Sequence, residues 1–167
     1  MTQLSQELKI KIENLFKNNK FSELEFEIES ISSFESRSAF LANMLGVVKL
    51  RKPSINQKDF EEARKLFKDS YEKDPNYIDA MCNFGHVSLK LRNYEYIFKD
   101  LKRFVKNKGY NAKVYETLAR IFFFVGQVEE ALELYKKMVD KGDLSQDASA
   151  NFLCSLNYSS NFSQSEY

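Results

Sequence analysis

The residues best suited to chemistry in this sequence are one histidine and one cysteine that lie a helical turn apart. His86 is the only histidine in the chain, and Cys82 precedes it by four residues. In a helix this spacing places both side chains on one face, where a thiol and an imidazole can act together as a nucleophile. Such a pair also needs an orienting carboxylate and an oxyanion site, and no motif in the sequence supplies them. We therefore expect no catalytic site, with a small helical enzyme using Cys82 and His86 as an alternative.

Metal and phosphate sites lack support in the residue pattern as well. One histidine cannot form a multi-histidine metal site, and Cys82 and Cys154 match no metal or redox spacing. The phosphate-binding motifs GxGxxG and GxxxxGK[ST] do not occur. The acidic pairs Glu61-Glu62 and Glu129-Glu130 fall near predicted helix starts, where carboxylates interact favourably with the helix dipole. The sequence thus predicts no metal, no cofactor and no catalytic residue.

The charge balance and hydropathy exclude two classes of partner. Lys and Arg number 25 and Asp and Glu number 24, giving a net charge of +1, so no basic excess predicts binding to nucleic acid or to an anionic membrane. The longest apolar run, residues 121–125, is far shorter than a bilayer requires. The first eleven residues lack the apolar core of a signal peptide. Both cysteines fall on apolar helix faces and are expected to be buried, reduced thiols, which favours a cytoplasmic location.

Helices are expected throughout, because the 167 residues include only five glycines and two prolines for tight turns. A 34-residue offset organises these helices. The segment Met81–Gly85 repeats as Tyr115–Ala119, with a large residue, an apolar residue and a small residue at matching positions. The same offset relates four further pairs of residues: Tyr94 and Val128, Ile97 and Ala131, Leu101 and Tyr135, and Phe104 and Met138. Such a period is typical of a stacked helical repeat.

The pattern resembles the tetratricopeptide repeat, in which each unit is a pair of antiparallel helices. The resemblance implies that small residues on first helices, such as Gly85 and Ala119, allow the second helices to approach closely. Ala63 and Ala131 would do the same from the second helices. Asp74-Pro75-Asn76 stands where one unit turns into the next, since proline ends one helix and is tolerated near the start of another.

The predicted fold is all-α, a right-handed superhelical solenoid of about four such pairs with a terminal capping helix. Residues 1–157 would form the repeat domain, and residues 158–167 the start of a linker or tail. Ser22 and Glu25 are expected to form a capping box at the second helix. The predicted helices are 3–18, 22–33, 36–52, 57–73, 77–91, 94–107, 111–124, 128–141 and 145–157.

In a tetratricopeptide array the first helices line a concave face, and ligand contacts recur at helical spacing along them. This resemblance implies a groove that holds an extended peptide through charges and amide hydrogen bonds. The alternative is that these polar residues form only the solvated side of amphipathic helices. The candidate groove residues are Asp79, Cys82, Asn83, His86 and Lys90, then Lys113, Glu116, Thr117, Arg120 and Phe124, and finally Asn151.

The C-terminal segment carries a second resemblance. Residues 149–158 read SANFLCSLNY and are followed by a Ser-Gln-Ser-Glu-Tyr ending. This segment resembles the junction between repeats and catalytic half in bacterial O-GlcNAc transferase-like glycosyltransferases, which has the form SNLLxxLNY. In that family an asparagine ladder contacts the peptide backbone, and Asn83 and Asn151 match it. Thr117 and Met44 occupy the other two rungs.

Two functions follow as hypotheses. The first is a protein-interaction scaffold that forms the N-terminal recognition portion of a larger glycosyltransferase. The second is a free-standing adapter or oligomerisation module, with a homodimer formed through the terminal helix. The apolar face for that contact would carry Leu144, Phe152, Leu153 and Leu156.

Overall fold

The computed structural model describes residues 6–31 and 37–159, and every regular element in these ranges is an α-helix. The predicted all-α fold is confirmed, and each of the nine predicted helices has a counterpart. Residues predicted as helical at 3–5 and near 32–36 lie outside the described ranges, as does most of the predicted tail. The helices are α1 Gln6–Lys17, α2 Phe21–Ile31, α3 Ala39–Lys49, α4 Gln57–Lys73, α5 Ile78–Lys90, α6 Glu95–Lys108, α7 Ala112–Phe124, α8 Val128–Asp140 and α9 Gln146–Tyr158.

Local side-chain caps fix several of the helix starts. Ser38, Asn111 and Ser145 each accept a hydrogen bond from the backbone N–H three residues later. At α4 the cap is reciprocal: Asn56 Oδ1 accepts from the Asp59 N–H at 3.2 Å, and Asp59 Oδ2 accepts from the Asn56 N–H at 3.0 Å. Such caps satisfy N–H groups that have no partner within the helix.

The capping box expected at the second helix is wrong. Helix α2 begins at Phe21, so Ser22 is its second residue and not its N-cap. Glu25 instead forms an ion pair with Lys49 of α3, and Glu29 lies 3.6 Å from the same ammonium group. The Glu25 carboxylate, which the local pattern assigned to a cap, therefore pairs with Lys49 on the neighbouring helix.

The chain forms two compact units, residues 1–92 with α1–α5 and residues 93–167 with α6–α9. In the first unit α1, α2, α3 and α4 share an apolar core, with Leu8 and Leu15 packed at its margin. The buried members of this core are Ile12, Leu24, Ile28, Leu41, Leu45, Val48 and Leu66.

Close packing of α3, α4 and α5 depends on small and polar residues at fixed places. Gly46 of α3 faces the Phe67 ring of α4, and both are buried. The fully buried Ser70 hydroxyl donates to the Ala39 carbonyl at 2.6 Å, joining the end of α4 to the start of α3. Arg64 of α4 reaches α5, where its Nε donates to the Ser88 hydroxyl at 3.0 Å.

In the second unit, α7 packs against α6, α8 and α9. The small residues that the repeat pattern assigns to helix contacts, Ala119 on α7 and Ala131 on α8, are both fully buried. Ile97 occupies the small-residue position on α6 and is also fully buried.

Candidate peptide-binding surface

The first helices of successive pairs, α3 and α5, lie in direct contact within the first unit. Two asparagines and a tyrosine bridge them: Asn83 Nδ2 donates to Asn43 Oδ1 at 2.9 Å, and Asn43 Nδ2 donates to the Tyr77 hydroxyl at 3.3 Å. Asn43 is 3% exposed, whereas Asn83 and Tyr77 are half-buried. We call these three residues the amide bridge. It presents amide and phenol groups at the edge of the α3–α5 contact.

Backbone geometry before α5 places Tyr77 in the amide bridge. The Asp74 side chain accepts from the Asn76 N–H at 3.0 Å, and the Tyr77 N–H donates to the Asp74 carbonyl at 3.0 Å. Tyr77 then becomes the N-cap of α5 without using its side chain as a cap. Burial raises the pKa of Tyr77, and the charge of Asp79 raises it further, so the phenol stays protonated at neutral pH.

The candidate groove residues on α5, which form a stripe along the helix, differ in exposure. Asp79 and His86 are half-buried, as is Asn83 between them. Cys82 is only 4% exposed and belongs to the core, so it offers a ligand almost no surface. Lys90 lies at the other end of α5, exposed, with its Nζ 5.8 Å from the centroid of the Phe60 ring.

The stripe on α7 and α9 falls in the second unit. Glu116 and Arg120 are half-buried, and Glu116 Oε2 accepts from the Ser145 hydroxyl at 3.2 Å. Thr117 is fully buried, and its hydroxyl donates to the carbonyl of Lys113, one turn earlier on the same helix. Thr117 therefore has no exposed surface to offer as a ladder position.

The two ends of this stripe differ in exposure. Phe124 is 46% exposed and packs edge-on against Tyr94 at 5.8 Å, and Lys113 is exposed. Asn151 is half-buried, and its backbone carbonyl accepts from the Ser155 hydroxyl at 2.8 Å. Among these residues, the contact to the start of α9 is made by Glu116, through Ser145.

Sequence reasoning missed Tyr135 of α8. This side chain is fully buried, and its hydroxyl has no hydrogen-bond partner among the described residues. Burial raises the pKa of Tyr135, an effect opposed by the charge of Arg120 and reinforced by that of Glu116. The Tyr135 phenol is therefore close enough to Arg120 and Glu116 of α7 for their charges to affect its pKa. The 34-residue offset aligns Tyr135 with Leu101 and so predicts that Tyr135 lies in the core. The offset does not predict that its hydroxyl lacks a hydrogen-bond partner.

Other chemistry is weakly represented in the part of the chain that the structure describes. No group of three or more His, Cys, Asp or Glu side chains there is suited to hold a metal ion. No described helix combines the length and apolar character needed to cross a bilayer. The expectation that both cysteines are buried is half wrong: Cys82 is buried, but Cys154 on α9 is exposed.

Comparisons with known proteins agree on the helix-pair architecture. The family model for the PPR repeat matches residues 114–143, which span most of α7 and α8. MamA from AMB-1 superposes with a TM-score of 0.69 over 89% of this chain and 85% of its own, at 14% identity. TTC0263, a thermophilic TPR protein of Thermus thermophilus, gives a TM-score of 0.65 over 87% of this chain and 78% of its own, at 16% identity.

The fold is therefore of the tetratricopeptide type. A further similar structure, the MamA RS-1 ArsTM double mutant, covers 90% of this chain and 91% of its own, with a TM-score of 0.61 and 17% identity. No curated protein sequence matches the chain. At these identities the comparisons concern the fold, and tetratricopeptide-type folds expose repeated surfaces suited to protein binding.

Proposed function

We propose that this chain is a protein-interaction scaffold that binds an extended peptide along α5, at the amide bridge. The observation that carries the proposal is the Asn83–Asn43 hydrogen bond across two successive first helices. A polar contact at a helix–helix boundary requires a specific geometry, because a donor or acceptor that loses its partner there is left unsatisfied. An apolar pair would pack there without this requirement. The resemblance to the tetratricopeptide repeat implies that first helices line the ligand-binding face, and both bridged helices are first helices, which supports a binding role.

The chemistry of Asn83 suits a peptide backbone. An asparagine amide carries two N–H donors and a carbonyl acceptor, the same groups that a peptide bond presents. One N–H group of Asn83 is used on Asn43, which fixes the plane of the amide. The half-buried side chain can then address a peptide N–H and carbonyl with its remaining capacity. Asp79 and His86 would contact side chains of the same peptide.

The test uses a random dodecapeptide library selected on the immobilised chain, followed by fluorescence anisotropy with the selected peptides. Asn83→Ala should weaken binding about two- to tenfold, since one hydrogen bond of this kind contributes about 0.5–1.5 kcal/mol. Asn107→Ala, an exposed asparagine on α6, is the matched control and should bind as the parent chain does. Equal affinity in the parent and Asn83→Ala would contradict the proposal, as would a library that yields no retained peptide.

The more specific form of the proposal makes the chain the recognition portion of a larger O-GlcNAc transferase-like glycosyltransferase. It is supported by the resemblance of residues 149–158, which lie on α9, to the junction segment of that family. The test is the length of the native gene product. Continuation past Tyr167 into a sugar-nucleotide-binding domain is the expected result, and a stop codon directly after Tyr167 would contradict it.

The alternative is an adapter or oligomerisation module that pairs through α9. Leu153 is 56% exposed, so part of the expected apolar face faces solvent. Leu144, Phe152 and Leu156 are half-buried and contribute less than the sequence predicts. Light scattering tests whether the chain pairs through α9. A dimer that Leu153→Ser dissociates supports pairing, whereas a monomer well above micromolar concentration excludes it.

A further inference from the structure

A concave site lies within the first unit where α5 ends and α4 begins. It has a volume of about 360 Å³. Its walls come from the loop before α4, the first turn of α4, and the last residues of α5. The residues that line this cleft are Ile55, Asn56, Gln57, Phe60, Lys90, Leu91 and Arg92. We call it the α4–α5 cleft.

The lining combines an apolar floor with a cationic rim. Phe60 supplies a half-buried ring, and Ile55 is 39% exposed although it is aliphatic. Lys90 and Arg92 bring two positive charges, and the described lining residues include no carboxylate. Lys90 Nζ stands 5.8 Å from the centroid of the Phe60 ring, so the cation and the apolar surface adjoin each other.

Backbone conformation keeps Arg92 at this rim. Its φ is +53°, a left-handed value that ends α5 abruptly. The Arg92 N–H donates to the Leu89 carbonyl at 3.0 Å, which closes the turn. Both charges are therefore held at the same end of α5, one on the last helical residue and one two residues later.

We propose that the α4–α5 cleft binds an acidic peptide segment in which an apolar residue adjoins carboxylate side chains. The apolar side chain would cover Phe60 and Ile55, and the carboxylates would pair with Lys90 and Arg92. Carboxylates are the complement to this rim, because guanidinium and ammonium groups form charge-assisted hydrogen bonds with them. This site lies at the opposite end of α5 from Tyr77 and is separate from the peptide contact proposed at the amide bridge.

Two acids adjoin lining residues of the cleft. Asp59 accepts from the Asn56 N–H at 3.0 Å and is paired with Lys52 at 3.0 Å. Gln57 Nε2 donates to Glu61 Oε1 at 2.9 Å, so the Glu61 carboxylate stands beside the cleft. It would repel an acidic ligand and is exposed enough to be replaced without disturbing the core. Glu61→Gln should therefore strengthen binding, in the opposite direction to changes at the cationic rim.

The experiment records ¹H–¹⁵N correlation spectra of the full chain during titration with acetyl-Leu-Glu-Glu-amide. Two matched peptides serve as controls: acetyl-Leu-Gln-Gln-amide lacks the charges, and acetyl-Gly-Glu-Glu-amide lacks the apolar side chain. Saturable shifts at the backbone amides of Gln57, Phe60, Lys90 and Arg92 are expected with the first peptide. The uncharged peptide should bind about fivefold more weakly, the size expected from losing two exposed ion pairs.

Variants of the chain locate the effect. Lys90→Gln and Arg92→Asn should each reduce the preference for the charged peptide about two- to threefold, and asparagine tolerates the left-handed backbone at 92. Lys65→Gln makes the same charge change at an exposed position of α4 outside the cleft and should leave binding unchanged. The proposal is overturned if no saturable shift occurs at the cleft, or if the charged and uncharged peptides bind equally. If Asn83→Ala weakens binding of the library-selected peptides but not of acetyl-Leu-Glu-Glu-amide, the effect concerns the amide bridge and not the α4–α5 cleft.

Discussion

Gly46 and Phe67 are in such close contact that no side chain fits between them. A Cβ built on Gly46 would lie 2.6 Å from Cε1 and 2.8 Å from Cδ1 of the Phe67 ring. Both residues are buried, and the ring is held between α3 and α4. Distances this short require the ring or the helix to move. This contact sets how closely the two helices of the pair approach.

Gly46→Ala should therefore destabilise the chain by about 1–3 kcal/mol, the usual cost of overpacking a core. In an open helix the same change would stabilise by about 1 kcal/mol through helix propensity, so the sign of the effect is informative. Urea unfolding followed by circular dichroism measures it. Gly46→Ala combined with Phe67→Leu should recover part of the loss, because a smaller side chain vacates the space. A more stable single variant would contradict the packing argument.

Close contacts of this kind explain why the sequence predicts the fold well. Gly85, Ala63 and Ala119 are buried at the positions where the repeat pattern places small residues, and they leave few ways for the helices to pair. Periodicity fixes which faces are buried, so the helix boundaries agree to within a few residues. The assignment of Ser22 is wrong because a local cap competes with the cross-helix Lys49–Glu25 ion pair, which no local pattern reveals.

The candidate site could be predicted only in outline. The repeat offset places Met44 one unit before Asn83 on the ladder, but the actual partner of Asn83 is the neighbouring residue Asn43. Adjacent residues on a helix point about 100° apart, so the orientation of α3 about its axis decides which one faces α5. This orientation depends on the whole core. For the same reason no local pattern indicates that Cys154 is exposed.

The unsatisfied hydroxyl of Tyr135 leads to a stability prediction. Because the group is buried without a hydrogen-bond partner among the described residues, Tyr135→Phe should stabilise the chain by about 1–2 kcal/mol. Tyr77→Phe is the matched control: it removes a hydroxyl that accepts from Asn43, so it should destabilise by about 1 kcal/mol. Urea midpoints for the two variants should move in opposite directions. Destabilisation by Tyr135→Phe would mean that the hydroxyl has a partner in solution.

Asp59 should make stability depend on acid pH. The backbone N–H of Asn56 and then the Lys52 ammonium lower the pKa of Asp59, each with a contact of 3.0 Å to the carboxylate. A carboxyl whose folded-state pKa is depressed contributes stability above its unfolded pKa of about 3.9. That contribution is lost as the pH falls through the folded-state value.

Urea midpoints measured between about pH 6 and about pH 2 test this. The parent chain should lose stability below about pH 4, and Asp59→Asn should show a shallower fall because it removes this titration. Asp147→Asn, in the first turn of α9 and exposed, controls for removal of a surface carboxylate. Identical pH profiles for the parent and Asp59→Asn would contradict the assignment.

The two cysteines should react at very different rates. Cys154 is exposed and Cys82 is buried, so a thiol reagent should modify Cys154 rapidly and Cys82 only when the fold opens. Mass spectrometry of the labelled chain, with Cys154→Ser as the comparison, separates the two sites. Rapid modification of Cys82 in Cys154→Ser would revive the alternative in which Cys82 and His86 form a reactive pair.

The match of residues 114–143 to the PPR repeat permits a direct test of the expectation that nucleic acid is not a partner. Proteins that read RNA with this kind of repeat use one repeat per base, so a single matched repeat would specify little. The net charge of +1 also leaves little to drive binding through phosphates. Labelled oligouridine RNA, titrated with the chain at physiological salt, should therefore show no saturable change in fluorescence anisotropy.

The surface most able to contradict that prediction is α6. Lys99, Lys102 and Lys106 are exposed at helical spacing, and Lys102 Nζ stands 4.7 Å from the centroid of the Phe98 ring. Saturable RNA binding that weakens steeply with salt and is lost in Lys102→Glu would assign α6 to an anionic ligand. Lys65→Glu makes the same charge change in the other unit. Loss of binding in both variants would indicate only a response to net charge.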